Sequence, residues 1–213
     1  MAVNTEFYKE LQKELTPATT LVAVSKFKSA EDIMALYNLG QRDFGENFVQ
    51  ELLIKYESLP KDIRWHFIGH LQSNKVKYIV NFIYLIHGVD TLKLLKEIDK
   101  QAAKAGVKVN CLLQRHISQE ETKFGFDEQE LDEAIRLPHN NIQLKGLMGM
   151  ASFTSDENIV KKEFNQLTLQ FKKMETLIPG FDTLSMGMSG DYKVALVSGS
   201  NMVRIGSLIF GSR

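Results

Sequence analysis

Cysteine is almost absent from this chain. Cys111 stands alone, so no internal disulfide can form and no thiolate pair is present to hold a zinc ion. It lies inside an apolar run, which assigns it to the interior as a small hydrophobe. Proline is nearly as scarce: Pro17, Pro60, Pro138 and Pro179 are scattered singly, and no Pro-rich linker divides the sequence. Long hydrophobic runs are missing too. The longest apolar stretch, around Phe82–Ile86, falls far short of the ~20 residues that cross a bilayer, so a membrane partner is not expected. No charge of one sign dominates, because 26 basic side chains balance 26 acidic ones, which argues against a nucleic-acid partner. The stretch Met1–Leu15 alternates acids and bases at helical spacing and lacks the apolar centre of a signal peptide. The expected setting is a reducing cytoplasm.

The 213 residues are 44% hydrophobic and 24% charged, enough for a sizeable core and unlike a disordered, collagen-like or coiled-coil chain. Short β-branched runs alternate with stretches of helical period. Strands are expected at Thr20–Ser25, Arg42–Gly45, Ile63–Ile68, Phe82–Ile86, Val107–Gln114, Ile142–Met148, Asp182–Ser185 and Met202–Ile205. Helical patterns fall at Ala30–Leu39, Phe48–Glu57, Leu92–Ala105, Glu128–Leu137 and Asn158–Leu177. Ser29 and Asp32 form a capping-box pattern, and Gly40 and Gly106 stand where helix C-caps belong. Eight strands at about 25 residues per unit give the minimum layout of a single α/β domain, a (β/α)8 TIM barrel over residues 20–213. A doubly wound open sheet is the alternative, but it seldom needs eight such even repeats. Residues 1–19 add an N-terminal helix with Phe7, Tyr8, Leu11 and Leu15 on one face.

In a barrel the chemistry sits where strands end, on the C-terminal face, and that rule sorts the candidate residues. Lys26, in Val24-Ser25-Lys26-Phe27-Lys28, would project from the end of the first strand into the mouth. A lysine there can lose its proton and attack an aldehyde, although a solvated loop lysine is the commoner meaning of such a residue. Near the other terminus, Ser185-Met186-Gly187-Met188-Ser189-Gly190 and Arg204-Ile205-Gly206-Ser207 belong to the last two strands and the turns after them. Loop amides and hydroxyls in these positions suit a phosphate, while the bland alternative is a pair of ordinary turns. His66 and His70 are four apart but straddle a strand and the following turn, so no shared metal is expected. His87, His116 and His139 have no evident partners in the sequence. Walker loops, dinucleotide fingerprints and nucleophile elbows do not occur.

Taken together, Val24-Ser25-Lys26, Phe44-Gly45-Glu46-Asn47, Trp65–Leu71, Lys145-Gly146-Leu147-Met148, Ser185–Ser189 and Met202-Val203-Arg204-Ile205-Gly206 resemble the pyridoxal phosphate homeostasis protein family. The resemblance runs from about Leu21 to Gly211 and rests on several motifs in order. It implies a single barrel of the alanine racemase N-terminal type that binds pyridoxal 5′-phosphate (PLP). By the same resemblance Lys26 is the Schiff-base lysine, and Ser185, Ser189, Gly206 and Ser207 hold the phosphate. Arg204 faces the pyridine nitrogen, and Asn47 and His66 line the same mouth. The chain departs from the family at His116, where asparagine is usual, and at Lys193, where an acidic or neutral residue is typical.

Arg204 restricts what such a site can do. A guanidinium stays charged, so it disfavours protonation of a neighbouring pyridine nitrogen and leaves the ring a weak electron sink. Transamination is disfavoured on that ground. Racemisation tolerates an arginine there but needs a second base, which alanine racemase takes from an added domain. None is expected here, since the chain ends at Arg213, and Tyr192 is expected on an outer helix. The expectation is a mostly monomeric carrier or buffer that holds PLP on Lys26 and hands it to PLP-dependent apo-enzymes, with effects on amino-acid metabolism. A weakly active amino-acid racemase is the alternative enzyme, and a barrel binding a sugar phosphate without PLP is the third possibility.

Overall fold

Eight short strands, each flanked by turn or helix signals, close into one ring in the computed structural model, which describes residues 3–120 and 124–211. They are β1 (Thr20–Val24), β2 (Asp43–Glu46), β3 (Arg64–Phe67), β4 (Leu85–Val89), β5 (Val109–Gln114), β6 (Ile142–Met148), β7 (Thr183–Ser185) and β8 (Met202–Ile205). All neighbours pair in parallel and in sequence order, and β1 closes on β8 from Thr20↔Met202 to Ala23↔Ile205. The fold is therefore a (β/α)8 barrel, and closure brings the two ends of the chain's strand order side by side.

Side chains alternate across the barrel wall, as strand geometry requires. Val22, Leu85, Leu112, Met148 and Met202 form a separate apolar cluster within the ring. The intervening residues, such as Leu21, Ala23, Phe44, Trp65, Phe67 and Ile86, belong to the larger core under the helices. That outer layer comprises α1 (Thr5–Glu14), α2 (Ala30–Tyr37), α3 (Val49–Ser58), α4 (Leu92–Ala105), α5 (Glu128–Arg136), α6 (Glu157–Glu175), α7 (Tyr192–Val197) and α8 (Ser207–Phe210).

Capping follows the local sequence. The Asp32 N–H donates to Ser29 Oγ at 3.2 Å and the Ser29 N–H to Asp32 Oδ2 at 3.4 Å, the expected box at the start of α2. Gly106 ends α4 with φ 67°, a left-handed conformation that costs glycine nothing. The amino-terminal α1 packs beside α8: the Asn4 N–H donates to Ile209 O at 2.7 Å, and the Tyr8 hydroxyl reaches Gln41 Oε1 at 3.2 Å.

One strand is displaced from its expected place. β4 begins at Leu85, so most of the apolar run at 82–86 lies outside it. Phe82 instead stacks on Tyr56 of α3, with ring centroids 3.8 Å apart. It follows a 3-10 helix, Ser73–Tyr78, that replaces the crossover helix between β3 and β4. An apolar loop that packs against a helix has the same composition as a buried strand, which is why the pattern misplaced this one.

Candidate functional site

Ser25 and Lys26 follow the last residue of β1, and Lys26 continues the inward row of Val22 and Val24 at the barrel mouth, where it is half-buried. The backbone on either side of it is held by α3. Lys55 Nζ donates to Ser25 O at 2.8 Å, to Glu46 Oε1 at 2.8 Å and to Glu51 Oε1 at 2.6 Å. On the other side, the Phe27 N–H donates to Glu51 Oε1 at 2.6 Å. Ser25 Oγ adds a bond to Glu46 Oε1 at 2.6 Å. Burial pushes the Glu46 carboxyl up from its ordinary range, against the pull of the Lys55 ammonium. Phe27 has φ 62°, the only positive value outside glycine among the described residues. A side chain in that region is strained, and the bonds from α3 hold it there.

The turns after β7 and β8 meet beside this lysine. The Gly206 N–H donates to Ser189 Oγ at 3.3 Å, tying the two turns together. Gly206 also lies against β1: a Cβ there would come within 3.2 Å of Val24. Ser207 is the first residue of α8 and is exposed. Lys26, Ser189, Gly206 and Ser207 are thus gathered at the β1–β8 seam.

Arg204 lies below them, with its side chain buried inside the ring. Its Nη1 donates to Ser185 O at 2.9 Å and to Ser185 Oγ at 2.6 Å, and its Nη2 to Gly149 O at 3.1 Å. A guanidinium has five N–H groups, so two remain for another acceptor. Burial pushes its pKa down to about 10. Ser185 departs from expectation here. Its hydroxyl is fully buried and engaged by Arg204 and by His87 Nδ1 at 3.0 Å, so it braces the arginine and does not join the Ser189–Gly206 turns.

His66 also departs from expectation. It faces the barrel axis, but its ring is fully buried and turned toward the amino ends of the strands, where Nε2 lies 3.0 Å from Asp43 Oδ1 and the ring meets Tyr84 at 5.3 Å. Its Nδ1 is 2.9 Å from His87 Nε2. His87, which has no partner evident in the sequence, is therefore bonded on both ring nitrogens. His116 Nε2 bonds Glu120 O at 2.9 Å and His139 Nε2 bonds Ala134 O at 2.8 Å, so these histidines have partners as well. His66 and His70 are held by different carboxylates, Asp43 and Asp90.

Asn47 stands at the end of β2 on the rim of the mouth, where it lines a cavity of about 300 Å³ with Phe48, Phe67, His70, Gln72 and Lys75. Its Oδ1 is buried without a hydrogen-bond partner among the described residues. Lys193 is an exposed residue of α7, 3.9 Å from Glu14 on α1, well outside this group.

Sequence reasoning missed His87, Asp43, Glu51 and Lys55. For His87 a signal existed: a lone polar ring in Leu85-Ile86-His87-Gly88-Val89 must find a buried partner, but its partners come from β3 and β7 and only the closed ring identifies them.

An inward lysine at the end of β1, joined turns after β7 and β8 and a buried guanidinium beneath them define a (β/α)8 barrel of the alanine racemase N-terminal type. Residues 5–213 match the family described as alanine racemase, N-terminal domain. The chain belongs to that family and, within it, to the pyridoxal phosphate homeostasis proteins. It is 38% identical to the pyridoxal phosphate homeostasis protein of Vibrio alginolyticus, over 97% of this chain and 92% of that one. The corresponding protein of Aquifex aeolicus is 39% identical over 91% of this chain and 86% of its own length. Among solved structures, PLP-bound PipY of Synechococcus elongatus PCC7942 superposes with a TM-score of 0.88 at 32% identity, covering 97% of this chain and 99% of that one. Alanine racemase from Bartonella henselae shares the fold alone, with a TM-score of 0.73 at 18% identity over 95% of this chain and 56% of that one.

Proposed function

We propose that this chain binds PLP at the barrel mouth and acts as a carrier or buffer of the cofactor in vitamin B6 homeostasis. The observation that carries this reading is the convergence of Lys26, the Ser189–Gly206 turns and Arg204 on one seam of the barrel. The donor set fits the group. When bound, PLP supplies an aldehyde able to condense with a primary amine, a phosphate dianion and a pyridine nitrogen. Lys26 is the amine. Ser189 and Ser207 provide hydroxyl donors for the phosphate, the Gly206 N–H would turn to it from Ser189 Oγ, and Arg204 retains two N–H groups for the ring nitrogen. The orphaned Asn47 Oδ1 is an acceptor that a bound ligand would satisfy. The PLP bound to PipY and the relatives' identity as pyridoxal phosphate homeostasis proteins support the same reading.

Carriage is favoured over turnover because the mouth pairs a lysine with an arginine, and among the described residues no tyrosine is placed beside them. The Tyr192 hydroxyl, the nearest in sequence to these turns, bonds Glu14 on α1 at 3.3 Å in the outer layer. The chain acts as a monomer in the cytoplasm and delivers PLP to apo-enzymes that depend on it. No helix among the described residues is long and apolar enough to cross a membrane. PLP-loaded protein mixed with an apo-aminotransferase is expected to restore the activity of that enzyme while forming no D-amino acid from L-alanine on its own. Formation of D-alanine that disappears in Lys26→Ala establishes the racemase instead.

A further inference from the structure

Six side chains form an unbroken hydrogen-bonded chain across the inside of the barrel. From the closed end to the mouth they are Arg64, Asp43, His66, His87, Ser185 and Arg204. The successive distances are 2.7 Å (Arg64 Nε to Asp43 Oδ1), 3.0 Å (Asp43 Oδ1 to His66 Nε2), 2.9 Å (His66 Nδ1 to His87 Nε2), 3.0 Å (His87 Nδ1 to Ser185 Oγ) and 2.6 Å (Ser185 Oγ to Arg204 Nη1). The four central residues are all buried, two of them ionisable rings with no exposed surface.

With both rings neutral, the two ends allow only one arrangement of protons. Arg204 can only donate, and an ionised Asp43 can only accept. Burial alone would raise the Asp43 carboxyl, but the hydrogen bonds from Arg64 and His66 and the charge of Arg64 outweigh it and hold the group below its usual range. His66 must then carry its proton on Nε2, which leaves Nδ1 bare to accept from His87 Nε2–H. The bare Nδ1 of His87 accepts a hydrogen bond from the Ser185 hydroxyl, and the lone pairs of Ser185 are left for Arg204. Burial keeps both rings neutral, and the Arg204 charge further disfavours a proton on His87.

We propose that Asp43, His66 and His87 are positioning residues for Arg204: they commit the Ser185 hydroxyl to receive from the guanidinium and so fix its remaining N–H groups toward the ring nitrogen of the bound cofactor. This inference rests on the PLP reading. A change at Asp43, at the closed end, is thereby felt at the mouth through two rings that never touch the ligand. The polar and titratable groups around His87 are His66 on β3, Ser185 on β7 and Arg204 on β8, with Asp43 one bond beyond His66 and Arg64 two. None of these can supply a second proton without breaking the order.

The first test uses unloaded wild-type protein and reads the ring nitrogens of His66 and His87 by long-range proton–nitrogen NMR. Both rings are expected neutral with the proton on Nε2. An imidazolium, or a proton on Nδ1 of either ring, overturns the proposal whether or not PLP binds. The second test measures PLP retention in equilibrium dialysis for His87→Leu and His87→Gln. Glutamine can still donate to His66 and accept from Ser185, whereas leucine can do neither. Retention is expected to fall about tenfold in His87→Leu, equivalent to one missing hydrogen bond to a charged group, and to recover within about threefold in His87→Gln. Equal loss in both variants, or none in His87→Leu, overturns the proposal. Failure of wild type to take up PLP removes the carrier reading and leaves the NMR result to judge the chain alone.

Discussion

Phe27 adopts φ 62° one residue after the mouth lysine, and Glu51 is what keeps it there: its Oε1 accepts the Phe27 N–H and the Lys55 ammonium together. Replacing Glu51 by alanine removes both, while Lys55 keeps Glu46. A bond to a charged acceptor contributes about 1.5–3 kcal/mol, so Glu51→Ala is expected to lose about that much stability in urea unfolding and to bind PLP more weakly as the turn relaxes. Unchanged PLP affinity in a folded Glu51→Ala protein would show that α3 does not position Lys26. A second prediction concerns acid. His66 and His87 stay neutral when folded because burial lowers their pKa from 6.5, so the unfolded chain binds more protons below that pH. Their contribution is complete above pH 6.5 and is lost as pH falls below it, by about 1.4 kcal/mol per unit for each ring until the folded rings titrate. His87→Gln cannot protonate and should remove about half of that slope in urea unfolding between pH 6.5 and 5.5, a change that direct comparison with wild type would reveal. At this scale the placement of Lys26, Arg204 and the serine and glycine turns at strand ends was legible from the strand pattern, whereas their roles toward a cofactor came from the family resemblance. The roles of Ser185, His66 and His87 were not legible, because a hydrogen bond between residues 98 positions apart leaves no local pattern.

Among the elements, seven of the eight strands lie where alternation and β-branched composition place them, and only β4 is shifted, by the apolar loop around Phe82. The sequence also gives no warning of the irregularity where β5 meets β6. There Cys111 pairs with Leu144 and Leu112 with Gly146, so Lys145 is skipped. Gly146 absorbs the bulge at φ 154°, with its α-carbon against the backbone of β7: a Cβ would sit 1.7 Å from Thr183 O. Gly146→Ala must therefore separate β6 from β7. A loss of about 3 kcal/mol or more is expected, or a failure to fold, by analogy with other forced backbone strains. A change below 1 kcal/mol in urea unfolding would mean that the two strands are not held this closely.

Across the whole molecule, function depends on closure. Lys26 and Arg204 are separated by most of the sequence, yet β1 pairs directly with β8, and Val22 is the register partner of Arg204 itself. The count of strands suggested a barrel, and the barrel supplied that adjacency. What a pattern could not supply was the interior, where a polar chain runs through an otherwise apolar ring from Arg64 to Arg204. Lys26 lies beyond the last residue of β1, so removing its amine does not interrupt a strand. The decisive measurement is the absorption spectrum of purified protein mixed with PLP and then dialysed, wild type beside Lys26→Ala, followed by borohydride reduction and mapping of the labelled peptide. Wild type is expected to keep a visible band that reduction abolishes and to carry the label on Lys26 alone, whereas the variant keeps neither band nor label. A wild-type protein without the band, or a label on another lysine, would contradict the assignment of this mouth as the PLP site.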